Sequence, residues 1–187
     1  DYEKWISNHF DSWLPWDVLS ANPNLRLSRE MIELYGDDID WREACKNLDD
    51  NLLDLLFCNY PELLQWSAVS QSQRLNWNTE LLEKFEDMWD WRELGMNPGI
   101  RWHDGLYEKY IDRIEWDAFS YNPNMLWSKS FVEAHESDID WKTFSGNTGS
   151  FWTEEFIDRY AARLDFFWLS SNRAVPWTEN LILRYES

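Results

Sequence analysis

Apolar positions return along the chain with a spacing of 25 residues. Trp16, Trp41, Trp66, Trp91, Trp116 and Trp141 each open a copy, and Phe166 takes the same place in the last. No insertion or deletion interrupts the register. Within a copy, apolar residues recur three and four apart and never alternate with period two, so the pattern predicts helices and not strands. The opening aromatic shares a face with the residue three later, as in Trp16 with Leu19, Trp91 with Leu94 and Trp116 with Phe119. A second apolar group follows: Met31, Ile32 and Tyr35; Leu81, Leu82 and Phe85; Leu106, Tyr107 and Tyr110; Phe156, Ile157 and Tyr160; Leu181, Ile182 and Tyr185.

Polar punctuation separates the two groups. The first helix is predicted to run from the last few residues of the preceding copy into the Trp-led stretch. Asp40, Asp90, Asp140 or Asp165 caps its first amides. It stops at Asn22–Pro23, Asn97–Pro98 or Asn122–Pro123, because proline disfavours helical dihedrals in the residue before it and lacks an amide hydrogen. The second helix begins after an aromatic and a small hydroxyl, as at Trp127–Ser128, Trp152–Thr153 and Trp177–Thr178. Ser and Thr are natural N-caps, and the Trp before them is placed to pack back as a staple. Glu30, Glu80 and Glu155 fall in the first turn of this helix. Lys84, Lys109, Arg159 and Arg184 fall near its end, in accord with the helix dipole.

Helix pairs this short cannot bury their own apolar faces, so each copy must use its neighbours. The expected fold is all-α, an α-solenoid of seven two-helix repeats beginning at residues 16, 41, 66, 91, 116, 141 and 166. Residues 1–15 form an amino-terminal half-repeat cap, and residues 1–187 a single helical repeat domain. The second copy, Trp41–Gln65, is irregular: it lacks the Pro and the second Trp and contains the run LLDLLF.

The segments WDVLSANPNL (16–25), WRELGMNPGIRW (91–102), WDAFSYNPNMLWS (116–128) and WTENLILRY (177–185) carry a motif that resembles a Trp-rich repeat of uncharacterised bacterial and viral proteins. The resemblance covers essentially the whole chain and implies the helical-repeat architecture. It implies no activity.

Composition changes the picture in three ways. The chain of 187 residues carries 15 Trp, 8 Tyr and 10 Phe, too many aromatics for a disordered acidic tail. Its net charge of −18, from 35 Asp and Glu against 17 Lys and Arg, repels nucleic acid and anionic lipid and attracts basic partners. Cys45 and Cys58 are too few for a secreted disulfide scaffold, and both are expected to be reduced and buried. No apolar run is long enough for a membrane span, so a cytoplasmic protein is expected.

Candidate chemistry is sparse. The two Trp columns, Trp16 to Trp141 and Trp77, Trp102, Trp127, Trp152 and Trp177, are expected in the core. Trp5, Trp13, Trp89 and Trp168 fall outside both, and exposure of Trp13, Trp89 or Trp168 would offer a surface for carbohydrate or another ligand. The Asn column (Asn22, Asn47, Asn97, Asn122, Asn147 and Asn172, with Ser72 in the third copy) suits turns and a ladder between copies. Ser20, Ser70, Ser120, Ser145 and Ser170 read as helix-end partners, since no His or Lys recurs beside them to make a nucleophile. His9, His103 and His135 stand at three different phases of the repeat, which argues against a metal site. No enzyme, cofactor or metal is expected.

The acids that capping does not explain sit after the second helix: Asp37, Asp38, Glu62, Asp87, Asp112 and Asp138. With Trp13, Trp89 and Trp168 they form the candidate interaction surface. The expected function is a non-enzymatic repeat scaffold for another macromolecule, a protein with a basic surface. The alternatives are an acidic mimic of nucleic acid that inhibits a DNA- or RNA-processing enzyme, and a carbohydrate-binding solenoid. Direct nucleic-acid or membrane binding is not expected.

Overall fold

A computed structural model describes residues 14–125, 127–149 and 151–186. Among these residues fourteen α-helices form in seven pairs, with no strand. The first helices are α1 (Trp16–Ser20), α3 (Trp41–Cys45), α5 (Trp66–Val69), α7 (Trp91–Met96), α9 (Trp116–Phe119), α11 (Trp141–Ser145) and α13 (Phe166–Ser171). The second helices are α2 (Arg29–Tyr35), α4 (Asp50–Asn59), α6 (Thr79–Lys84), α8 (Asp104–Tyr110), α10 (Lys129–Ala134), α12 (Glu154–Tyr160) and α14 (Glu179–Tyr185). This is an all-α helical-repeat fold of the solenoid class. No described helix is long and apolar enough to cross a membrane.

The caps explain where each helix starts. Asp40, Asp140 and Asp165 accept from the amides two and three residues on. These residues are extended, so the first helices begin at the aromatic itself. They are shorter than the pattern predicts, because the cap residue cannot also be helical. Ser28, Asn78, Ser128, Thr153 and Thr178 cap the second helices, each accepting from the amide three residues later. His103 occupies a cap position without making the side-chain bond. In the irregular copy Asp49 caps instead, 3.0 Å from the Leu52 amide. With no Pro or second Trp to close a turn, α4 starts early and runs for 10 residues.

Two polar ladders and one aromatic pair then repeat. Asn122, Asn147 and Asn172 are buried. Each donates twice from Nδ2 to carbonyls 27 and 25 residues upstream, at 2.7 to 3.0 Å. Its Oδ1 accepts from the amide two residues on. Ser72 makes the reduced version, donating to the Leu48 carbonyl at 2.8 Å. The Ser column forms the second ladder. Ser20, Ser70 and Ser145 each donate to the carbonyl four residues back and accept the amide twenty residues on. The buried Asn and Ser side chains of the two ladders are thereby satisfied.

The opening aromatic meets the aromatic 19 residues later, joining the two helices of one copy: Trp16–Tyr35, Trp66–Phe85, Trp91–Tyr110, Trp116–His135, Trp141–Tyr160 and Phe166–Tyr185 have centroids 4.8–5.1 Å apart. Tryptophan also closes turns. Indole nitrogens of Trp41, Trp77, Trp127, Trp141 and Trp152 donate to the carbonyl five residues upstream. Trp102, Phe119 and Phe144 are among the largest fully buried side chains, and burial of each contributes roughly 2–3 kcal/mol.

The contacts gather into two compact units, Asp1–Asp90 and Trp91–Ser187. In the first, α1 packs on α3 and α3 on α5; in the second, α7 packs on α9 and α11 on α13. Both cysteines are free. Cys45 is buried as expected, but Cys58 is exposed. Cys58 holds the phase that Glu33, Glu83, Glu108, Glu133 and Asp158 hold in other copies, which is the outward face of the second helix.

Candidate functional site

The turn after each second helix is short and polar, and it presents the candidate acids to solvent. Asp37, Asp38, Glu62, Asp87, Asp112 and Asp138 are all exposed. Glu62 and Asp112 lie in single 3-10 turns, Pro61–Leu63 and Ile111–Arg113. Asp37, Asp38, Glu62 and Asp112 make no ion pair among the described residues. Asp138 does have a partner, the Nδ1 of His135 at 3.3 Å.

Other acids of the second helices and of the turns after them are held by cations of a neighbouring copy. Lys84 reaches Asp54 at 2.8 Å, Arg159 reaches Glu133 at 2.7 Å and Arg163 reaches Glu136 at 2.9 Å. Arg184 pairs with Asp158, and this contact, helped by the Tyr185 hydroxyl, holds the Asp158 carboxyl below the usual range. Such exposed pairs add little stability each, but they relieve repulsion between stacked acids.

The distribution of charge over the repeat is more informative than its total. The first eleven positions of the seven copies, which build the first helix and its turn and in the second copy also the Asp49 cap and start of α4, hold six acids and eight bases. The rest of the chain holds 29 acids and nine bases. The excess negative charge therefore belongs to the second helices, the turns after them and the amino-terminal segment. The first helices and their turns are close to neutral. Position within the repeat, and not along the chain, sorts the charge.

No family model matches the chain, and no curated protein or solved structure matches it.

The stray tryptophans separate. Trp89 is 5% exposed. Its ring meets Trp66, Trp77 and Phe85 edge-on, with centroids 5.2–5.7 Å away, and its indole nitrogen donates to the Leu82 carbonyl at 3.1 Å. It offers no ligand surface. Trp89 is not a stray at all: it fills the phase held by Ile39, Leu64, Ile114, Ile139 and Leu164, one residue before the first-helix cap. Trp168 is 45% exposed. Trp13 lies outside the described residues, as do Trp5, His9 and most of the expected amino-terminal cap.

One polar cluster arises that the separate histidines did not suggest. The Tyr107 hydroxyl lies 2.8 Å from His135 Nε2, and His135 Nδ1 faces Asp138. Burial, with the nearby carboxylates of Asp138 and Glu108, pushes the Tyr107 phenol up to about 12. It therefore stays protonated at neutral pH. The imidazole is packed between Trp116 and Phe131. The arrangement satisfies a buried hydroxyl and fixes a ring in the aromatic column. Among the described residues no group of three or more His, Cys, Asp or Glu is placed to hold a metal ion.

The first helices present a further surface. Its residues vary from copy to copy at fixed phases. Tyr121, Gly146 and Ser171 share one phase, and Thr143 and Trp168 another. That variation at positions the repeat does not need is its sequence signal.

Proposed function

We propose that the chain is a binding scaffold, without a reaction of its own, in which the acidic turns and second helices of each compact unit receive lysine- or arginine-rich segments of a partner protein. The observation that carries this reading is the sorting of charge by repeat phase, with 29 acids against nine bases outside the first-helix segments. Asp37, Asp38, Glu62 and Asp112 are exposed carboxylates without a cation. They are not needed as caps and do not neutralise a neighbour. Repulsion among acids at one phase costs stability, and a cationic partner offsets that cost. The resemblance to Trp-rich repeats adds no activity to this reading.

Mapping by backbone amide NMR tests it. A lysine-rich peptide is titrated into the labelled protein. The expected shifts fall at residues 36–39, 61–64 and 111–114 and fade as salt shortens the reach of charge below about 8 Å. Shifts confined to the first helices, or insensitive to salt, would overturn the proposal.

A further inference from the structure

The first helices of the second unit and the turns after them line an open recess of about 400 Å³. This volume falls within the range of small-molecule sites. Trp168 of α13 and Tyr121, just after α9, bring aromatic surface to it, and they are 45% and 55% exposed. Gly146 lies between them in the repeat. A Cβ there would fit in ordinary contact, 3.8 Å from Trp168 Cε3 and 3.5 Å from the Thr143 carbonyl, and the glycine leaves that space beside the indole unfilled. Lys142 and Arg173 also line the cavity.

Neither cation joins an ion pair among the described residues, although acids outnumber bases two to one in the chain. None of the residues lining the cavity is acidic. The same phase in the first unit gives a cavity of about 550 Å³ with different chemistry. There Lys46 is held by Glu43 at 2.6 Å and Arg74 by Asp49 at 3.4 Å. The repeat supplies the recess, and the side chains that vary between copies decide what it can hold.

We infer that the cavity lined by Tyr121, Lys142, Trp168 and Arg173 binds a small planar anion, an aromatic ring bearing a carboxylate or a phosphate. The exposed indole and phenol faces stack on the ring. The guanidinium of Arg173 and the ammonium of Lys142 take the anionic group by charge-assisted hydrogen bonds. Thr143 and Ser171 add hydroxyls at the wall. The field of a chain with net charge −18 repels a long polyanion, so a ligand with one or two charges fits and a nucleic-acid strand does not.

Calorimetric titration of the whole chain tests this with four probes: adenosine monophosphate, naphthoate, and their uncharged counterparts adenosine and naphthylmethanol. At least one anion is expected to bind, with its neutral counterpart about tenfold weaker or more. Tighter binding of the nucleotide identifies a phosphate ligand, and tighter binding of naphthoate a carboxylate. Trp168→Ala and Arg173→Gln, both at exposed positions, keep the parent melting temperature and weaken the bound anion about tenfold. Gly146→Leu fills the recess and abolishes binding. Absence of binding by both anions, equal binding of the neutral probes, or unchanged affinity in Trp168→Ala and Arg173→Gln would overturn the inference.

Discussion

Asn172 donates from Nδ2 to the main-chain carbonyl of Asn147 at 2.7 Å. The same carbonyl accepts the Trp152 indole N–H at 2.7 Å. Both of its lone pairs are thus used, one by its own copy's turn and one by the next copy. Asn122 repeats the arrangement with Trp127 and Asn147. Asn147→Ala removes two donated bonds and one accepted bond from a buried site. The expected loss is about 2–4 kcal/mol, measured by chemical denaturation. Asn147→Asp is expected to lose more, since a carboxylate oxygen would face two carbonyls. An aspartate variant more stable than the alanine variant would contradict the ladder.

Cys45 occupies the Ser column. The Gln65 amide, twenty residues on, meets its sulfur at 3.5 Å, where Ser145 meets Asp165 at 2.9 Å. Burial raises the Cys45 thiol from 9.0 to about 11. The folded chain holds this proton more tightly than the unfolded chain, so the contribution is complete below pH 9 and is lost as pH rises through about 11. Its size is on the order of 2 kcal/mol. Tyr107 acts in the same sense one step higher, from 10.0 to about 12. Cys45→Ser restores the ladder residue and is expected to be at least as stable as the parent at neutral pH. Its alkaline decline is expected to begin about one pH unit later. Melting temperatures of the two chains across alkaline pH check both points; identical alkaline limbs would contradict them.

The architecture was legible because a fixed 25-residue period exposes every structural role several times. Trp127, Ser128 and Asn122 can each be read against siblings, and their roles as core, cap and ladder follow from that repetition. Trp89 shares its phase and its buried place with Ile39 and Ile139, so its environment follows from repeat phase and not from its being a tryptophan. The exposure of Cys58 likewise follows its phase and not its residue type. The link from Tyr107 through His135 to Asp138 could not be read, since it depends on a contact between copies 28 residues apart. The first-helix cavity joins residues of three copies, none with a motif.

Trp89 and Trp168 should part under the same substitution. Trp89→Ala leaves a void among Trp66, Trp77 and Phe85 and strips the Leu82 carbonyl of a donor; the expected cost is about 3–5 kcal/mol. Trp168→Ala at a half-exposed site is expected to cost less than about 1 kcal/mol. Denaturant midpoints with unchanged slopes give the comparison. Equal losses would contradict the burial of Trp89 and the exposure of Trp168.

The place of the negative charge, rather than its amount, is the central claim, and two variants of equal charge test it. One neutralises Asp37, Asp38, Glu62 and Asp112; the other neutralises Asp17, Glu43, Glu93 and Asp117 on the first-helix side. Their affinity for a lysine-rich peptide is measured at low salt. The first set is expected to weaken binding about tenfold or more without loss of melting temperature, and the second to change it little. Equal weakening by both sets would show that net charge alone attracts the peptide and would contradict binding by the acidic turns.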